Sequence, residues 1–376
     1  MYGGIFKPRG KQYLDFMFVP PQIPHREEEL NILLDNLTPV LEGDVNAYTI
    51  PVIYGRTGTG KTTVAKKLLE AIEKKDTEII LNRLMVNCVS YSKPYNLSRY
   101  VTQYLTEIPT RGYSYQELMQ MTYDTLELRD EYLFLILDDV DELIRSDKGR
   151  FLHLLTRLDE AGDKKRILPL LIARKMESIN DLPGYIRNKL NGPILHFEPY
   201  NVDEMSDIIQ DRVKLALNDD AISKNAVSSI AYISSALEGG DARTALTLLL
   251  NSGNIAERLR ANRITVEHVR KAYEHLPGYS YRPIGHFIDE RTIKILQVIA
   301  EFLSQYPDEF ILSEKMLRAV RSEVAKRYKI TLSHNDFIET LDRMVEARLV
   351  NKYMNKYLWI SISIDSIMNL LAEYFK

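Results

Sequence analysis

The chain has 376 residues, 45% hydrophobic and 27% charged, and its 49 Lys and Arg against 52 Asp and Glu leave a formal charge of −3. That length is too great for one compact core and that composition excludes wholesale disorder, while the near balance of charge excludes a uniformly basic, histone-like protein and leaves room for a local basic face. One cysteine, Cys88, excludes a disulfide framework, and seven scattered histidines form no sequence-local zinc pattern. No run approaches the ~20 apolar residues of a membrane-spanning helix. These features predict a soluble cytoplasmic protein with no membrane partner.

Along the chain, Ile50–Tyr54, Leu84–Val89, Leu133–Leu137 and Ile167–Ala173 are strand-sized and almost continuously apolar. Strands covered on both faces have that pattern, and the amphipathic stretches between them predict an α/β domain with a parallel sheet over residues 1–200. Lys61–Lys75 carries a helical stripe of Val64, Ala65, Leu68, Leu69 and Ile72 directly after a glycine-rich loop. From 201 to 278 the strand signals stop, and Asp203–Leu217, Lys224–Leu237, Asp241–Leu259 and Thr265–His275 read as helices of a second domain. A Pro/Gly/Tyr-rich stretch predicts a linker at 279–290. In 291–376, three amphipathic helices (Arg291–Leu303, Ser313–Tyr328, Ser333–Ala347) precede a short hairpin and a last helix, which suggests a winged helix.

Gly55–Thr62 fits the phosphate-binding loop pattern and lies between a predicted strand and a predicted helix. The loop amides and the helix N-terminus suit phosphate oxygens, with Gly58, Thr59, Gly60 and Thr63 lining the same turn. Lys61 is expected to reach the β- and γ-phosphates of ATP or ADP, and Thr62 to ligate Mg²⁺. Leu133–Leu137 delivers Asp138 and Asp139 to the sheet edge. Asp138 is expected to hold the metal and Asp139 to polarise the attacking water. Asp141 and Glu142 read as charges at a helix start.

The stretches Val19–Glu29, Gly55–Thr63, Val86–Cys88 with Pro94–Tyr95, Phe197–Asn201, Gly240–Leu246 and Ile264–Arg270 occur in one order. In that order, with the C-terminal domain, they resemble the AAA+ ATPases of the archaeal origin-recognition (Orc/Cdc-type) replication initiators. The resemblance implies a P-loop ATPase, a helical lid and a winged helix. It implies that Val19 and Arg26 lie beside the adenine base, that Tyr200 and Arg212 contact nucleotide, and that Arg243 is the second sensor arginine, acting with Lys61, Asp138 and Asp139. Double-stranded origin DNA, other initiator paralogues and the replicative helicase are the implied partners, at the nucleoid.

Three departures from the family pattern stand out. Asp139 replaces the usual glutamate, Arg174 stands roughly where a sensor asparagine is usual, and Gly184–Ile186 replaces a Pro-Arg-Val segment, with Arg187 two residues from the expected finger position. Together they predict nucleotide binding with slow hydrolysis, since a misplacement of ~1 Å can cost ~100-fold in rate.

For DNA, Lys315, Arg318 and Arg321 crowd the second helix of the last domain. Ser333, His334, Asn335 and Arg343 lie on the candidate recognition helix, Lys352 and Lys356 on a short wing, and Arg111 and Tyr113 in a helical insertion at about 94–126. A basic helix face is equally consistent with plain solvation. Two other readings stay open beside the initiator: a switch-type regulatory ATPase that uses the winged helix for protein docking, and an origin-binding negative regulator.

Overall fold

Strands β1 (Val52–Tyr54), β2 (Ile80–Asn87), β3 (Glu131–Asp138), β4 (Ile167–Ala173) and β5 (Ile194–His196) form a parallel sheet in the order β2-β3-β4-β1-β5. The continuous apolar run of β3 is explained by helices on both faces of the sheet. Leu133, Leu135 and Leu137 point to one side, Tyr132, Phe134 and Ile136 to the other, and all six are buried. Helices α1 (Glu27–Leu41) and α2 (Lys61–Glu73) cover the second side through Leu33, Leu37, Val64 and Leu68. On the first side lie α3 (Pro94–Leu105), α4 (Tyr115–Arg129), α5 (Asp141–Asp147) and α6 (Arg150–Leu155). Two short helices, α7 (Met176–Asn180) and α8 (Gly184–Arg187), lead from β4 toward β5.

This computed structural model describes residues 4–158, 164–277, 289–347 and 349–374. The contacts divide it into two units, Val19–Pro199 and Met1–Phe18 with Tyr200–Lys376. The sequence pattern groups the first eighteen residues with the ATPase domain; of these, residues 4–18 pack instead on the helical unit. Ile5 and Leu14 are buried in its core, Lys7 N–H donates to the Ala216 carbonyl at 3.0 Å, and Asn218 N–H donates to the Ile5 carbonyl at 3.0 Å. A Cβ on Gly10 would stand 2.1 Å from the Ala216 oxygen, so only glycine lets the arm lie this close.

The helical part of that unit consists of α9 (Val202–Ala216), α10 (Lys224–Tyr232), α11 (Ala242–Arg258) and α12 (Val266–Glu274). Asn201 and Glu204 form a capping box on α9, and Ser223 and Asp241 cap α10 and α11. The helix expected over Lys224–Leu237 is α10 followed by a π-helical turn, Ile233–Leu237, that ends at left-handed Gly239 and Gly240.

Next come α13 (Glu290–Gln305), β6 (Ile311–Leu312), α14 (Glu314–Tyr328), α15 (His334–Glu346), β7 (Asn351–Tyr353), β8 (Lys356–Leu358) and α16 (Ile364–Tyr374). The three strands pair antiparallel in the order β6-β8-β7, with α14 and α15 between β6 and the β7–β8 hairpin. Most of the expected linker, residues 279–288, lies outside the described residues.

The helical and C-terminal parts each have a core of their own, the second built from residues such as Ile299, Val324, Phe337 and Leu341, and they are joined by a shared seam. Phe310, Leu358 and Ile360 are buried among the α9–α12 side chains. Arg270 of α12 is fully buried. It donates Nε–H and Nη2–H to the Trp359 carbonyl at 3.1 and 2.8 Å, and Nη1–H to Glu267 at 3.1 Å. Glu267 in turn accepts the Ile364 N–H at 3.0 Å, and Glu274 accepts the Ser363 N–H at 2.8 Å. No helix among the described residues is long and apolar enough to cross a membrane.

Candidate nucleotide and nucleic-acid sites

The loop after β1 owes its shape to glycine. Gly58 and Gly60 have φ of 78° and 95°, and a Cβ on Gly55 would stand 2.4 Å from the Phe197 carbonyl oxygen. No side chain caps the N-terminus of α2, which begins at Lys61, so its first amides are left for an anion. Lys61 is buried, with Nζ donating to the Gly55 and Arg56 carbonyls at 2.6 and 2.7 Å; the ammonium is therefore held over the loop. Thr59 is fully buried, its hydroxyl on the Arg56 carbonyl, while Thr62 and Thr63 are half-buried in the first turn of α2.

At the neighbouring strand end, Thr62 Oγ1 donates to Asp138 Oδ2 at 2.9 Å. Burial pushes the Asp138 carboxyl above the ordinary carboxylate range, and the Thr62 bond opposes that. An open helix N-terminus beside a lysine, and a hydroxyl paired with a buried carboxylate, match the needs of a nucleotide phosphate with Mg²⁺. Among the described residues no group of three His, Cys, Asp or Glu side chains forms a ready-made metal cage.

Asp139 lies just beyond, in a left-handed conformation with φ 56°. Both of its oxygens are held by Arg174, from Nε at 2.9 Å and from Nη2 at 3.1 Å. Asn87 Nδ2 approaches Asp139 Oδ2 at 3.5 Å, and Asp141 accepts the Arg174 N–H at 2.7 Å. Asp141 thus fixes the chain just past β4, a role its place at a helix start did not suggest. The Arg174–Asp139 pair joins residues 35 apart in sequence and left no local sign.

Arg26 and Val19 also belong to the sheet unit. Val19 is half-buried just before the turn into α1. Arg26 is buried and braces three segments, donating to the carbonyls of Thr59 at 3.0 Å, His25 at 2.9 Å and Glu198 at 2.5 Å. Its guanidinium ties the phosphate loop to the chain after β5, which makes it a scaffold group of the site.

In the other unit, the Tyr200 ring is buried in the helical core and its carbonyl accepts the Ser235 hydroxyl at 2.8 Å. Arg212 is also buried. It donates to the Tyr13 carbonyl at 2.9 Å and lies over the Phe18 ring, and burial lowers its guanidinium pKa to about 10. Arg243 is exposed in the first turn of α11, 5.9 Å from the Phe16 ring centre. Both arginines thus meet aromatic residues of the N-terminal arm.

The expected DNA contacts fall into two sets. Lys315, Arg321, His334, Asn335 and Lys356 have no ion-pair partner among the described residues, and all but Arg321 are exposed. Arg318 pairs with Glu314, Arg343 with Asp289 and Glu339, and Lys352 with Asp342 at 2.9 Å. Ser333 caps α15, its oxygen accepting the Asp336 N–H at 3.1 Å. Met354 and Asn355 at the β7–β8 turn both have positive φ, which fits a two-residue hairpin connection and leaves the wing short. Arg111 and Tyr113 are exposed on the α3–α4 loop around left-handed Gly112.

Comparison with known proteins places this geometry in a family. Residues 46–177 match the profile of an AAA domain, and residues 206–274 match that of a Cdc6 AAA+ ATPase-type lid domain. The chain is 28% identical over 346 residues to the ORC1-type DNA replication protein 1 of Methanothermobacter thermautotrophicus, covering 89% of this chain and 87% of that protein. Its fold is similar to the crystal structure of Cdc6p from Pyrobaculum aerophilum, with a TM-score of 0.84 at 24% identity, over 99% of this chain and 100% of that one. It is also similar to the Aeropyrum pernix ORC1 protein in complex with DNA, with a TM-score of 0.64 at 23% identity, over 98% and 97% of the two chains.

Proposed function

The chain belongs to the archaeal ORC1/Cdc6-type DNA replication proteins, and from that premise we propose that it is a nucleotide-switched initiator that grips duplex origin DNA. The observation that carries the nucleotide half is the Thr62–Asp138 pair beside the uncapped N-terminus of α2. In this reading Gly58, Thr59, Gly60 and Thr63 cradle the phosphates of ATP or ADP. Lys61 turns from the loop carbonyls to the β- and γ-phosphates, and Thr62 and Asp138 hold Mg²⁺, which spreads the phosphate charge. Arg243 reports the nucleotide from the lid, while Tyr200 and Arg212 order the lid's first helix. Lys61→Ala is expected to abolish binding of a fluorescent ATP analogue; unchanged affinity would refute the site.

The DNA half is supported by Lys315, Arg321 and Lys356, cations with no ion-pair partner among the described residues, and by the DNA complex of the Aeropyrum pernix protein. Arg111 and Tyr113 supply a second contact from the sheet unit. Duplex affinity that falls with salt at a slope near ~0.9 per neutralised phosphate is the expected result. A second reading, protein docking by the C-terminal module, draws on the pairing of Arg318, Arg343 and Lys352 with carboxylates. It is favoured if no duplex affinity is measurable at low salt. Initiator paralogues and the replicative helicase are the proposed protein partners, with the nucleoid the proposed place of action.

A further inference from the structure

We propose that Arg174 is a built-in brake on ATP hydrolysis, holding Asp139 in a two-pronged ion pair that keeps its carboxylate from serving as a base; the inference rests on the nucleotide reading above. Hydrolysis joins a water oxygen to the γ-phosphorus as the bond to the β–γ bridging oxygen breaks, and one water proton must pass to a base. The group in place for that proton is the carboxylate after Asp138. Here both of its oxygens accept guanidinium N–H bonds, at 2.9 and 3.1 Å, which takes one lone pair on each and turns the carboxylate toward Arg174 instead of toward a water.

The clasp is anchored at each end. Arg174 follows β4 directly, and its own N–H is fixed by Asp141 at 2.7 Å. Asp139 follows β3, the strand paired with β4 on the side away from β1, and its backbone is set in the left-handed region. Parallel pairing of β3 with β4 therefore brings the two residues together whether or not nucleotide is bound. The Arg174 side chain is 44% exposed, so the pair is released without unfolding the sheet. Two residue choices combine: an aspartate one methylene short, and an arginine where a small neutral side chain would leave that carboxylate open. Each alone slows hydrolysis, and together they suit a protein that holds ATP as a long-lived state.

The test uses the full-length chain and three measurements: affinity for a fluorescent ATP analogue with Mg²⁺, single-turnover hydrolysis, and thermal unfolding. Arg174→Asn is expected to bind the analogue within about threefold of the wild type and to hydrolyse ATP about tenfold faster or more, part of the ~100-fold or greater contribution of a positioned base. Arg174→Lys, which offers a point charge in place of the fork, is expected to fall between the two. Adding Asp139→Asn to Arg174→Asn is expected to take the gain away, which a merely structural arginine would not predict. A folded Arg174→Asn variant that binds the analogue normally and hydrolyses no faster overturns the brake while leaving the nucleotide reading intact. A wild-type protein that fails to bind the analogue overturns that reading itself, and the brake with it.

Discussion

Asp138 carries its charge where burial resists it. The residue is 5% exposed, and its carboxyl is pushed above its ordinary value of 3.8 chiefly by loss of solvent. A folded-state pKa above the unfolded one means that the folded state binds the proton more tightly. The ionised carboxylate therefore weakens the nucleotide-free protein as pH rises through the raised pKa, and costs nothing below 3.8. Asp138→Asn, which can keep the Thr62 bond, should raise the neutral-pH unfolding midpoint by the equivalent of ~1 kcal/mol while removing Mg²⁺-dependent nucleotide binding. A lower midpoint at neutral pH would contradict it. At this scale the meeting of Lys61, Thr62 and Asp138 at one edge of the sheet was legible in the sequence, because loop, strand and carboxylate follow local patterns. It did not reveal what Arg174, Arg26 or Arg212 hold, because those partners are backbone carbonyls and carboxylates brought close only by the fold.

Among the elements, α14 and α15 illustrate why a count of cations misleads. Arg343 is held by two carboxylates, Asp289 at 3.0 Å and Glu339 at 2.6 Å, whereas Arg321 on α14 has no carboxylate partner among the described residues. A duplex phosphate must displace the first pair but not compete for the second, although each exposed pair is worth only ~0–1 kcal/mol. Arg321→Ala should therefore lower the slope of log affinity against log salt by ~0.9, and Arg343→Ala by less, in titrations on one duplex. Equal slopes for both variants and the wild type would remove these arginines from the interface. Periodicity located the core strands unevenly: Ile167–Ala173 is β4 to the residue, whereas β2 starts at Ile80, four residues before the expected Leu84, because its first half is half-exposed and mixed in polarity. β5 and β6 were not, since strands of three and two residues at a sheet edge carry too short an apolar signal.

For the whole molecule, the consequential residue is Arg270. The sequence pattern places it on a helix with no sign of depth, yet its partners at Trp359 lie 89 residues away and leave it no exposed surface. Truncating one partner of such a cluster strands Glu267 as an uncompensated charge, and Arg270→Ala should destabilise the helical unit by ~3–5 kcal/mol. Thermal unfolding followed by calorimetry should then show the C-terminal module melting apart from α9–α12; one unchanged transition would refute a joint that depends on Arg270. Within this unit a displacement of α9–α12 would be carried through the seam to the C-terminal module.

Trp359 gives that joint a consequence at the bench. It is the chain's one tryptophan, wholly buried, with its indole N–H on the Ile362 carbonyl at 3.0 Å and its own carbonyl clasped by Arg270. Leu358 and Ile360 on either side belong to the core of α9–α12. Excited at the red edge of its absorption, where the 23 tyrosines contribute little, the indole becomes an unlabelled optical gauge of the C-terminal core in which its ring is packed. Its emission would shift to the red if loss of the Arg270 clasp loosens that core, and would stay fixed if only the α9–α12 face separates.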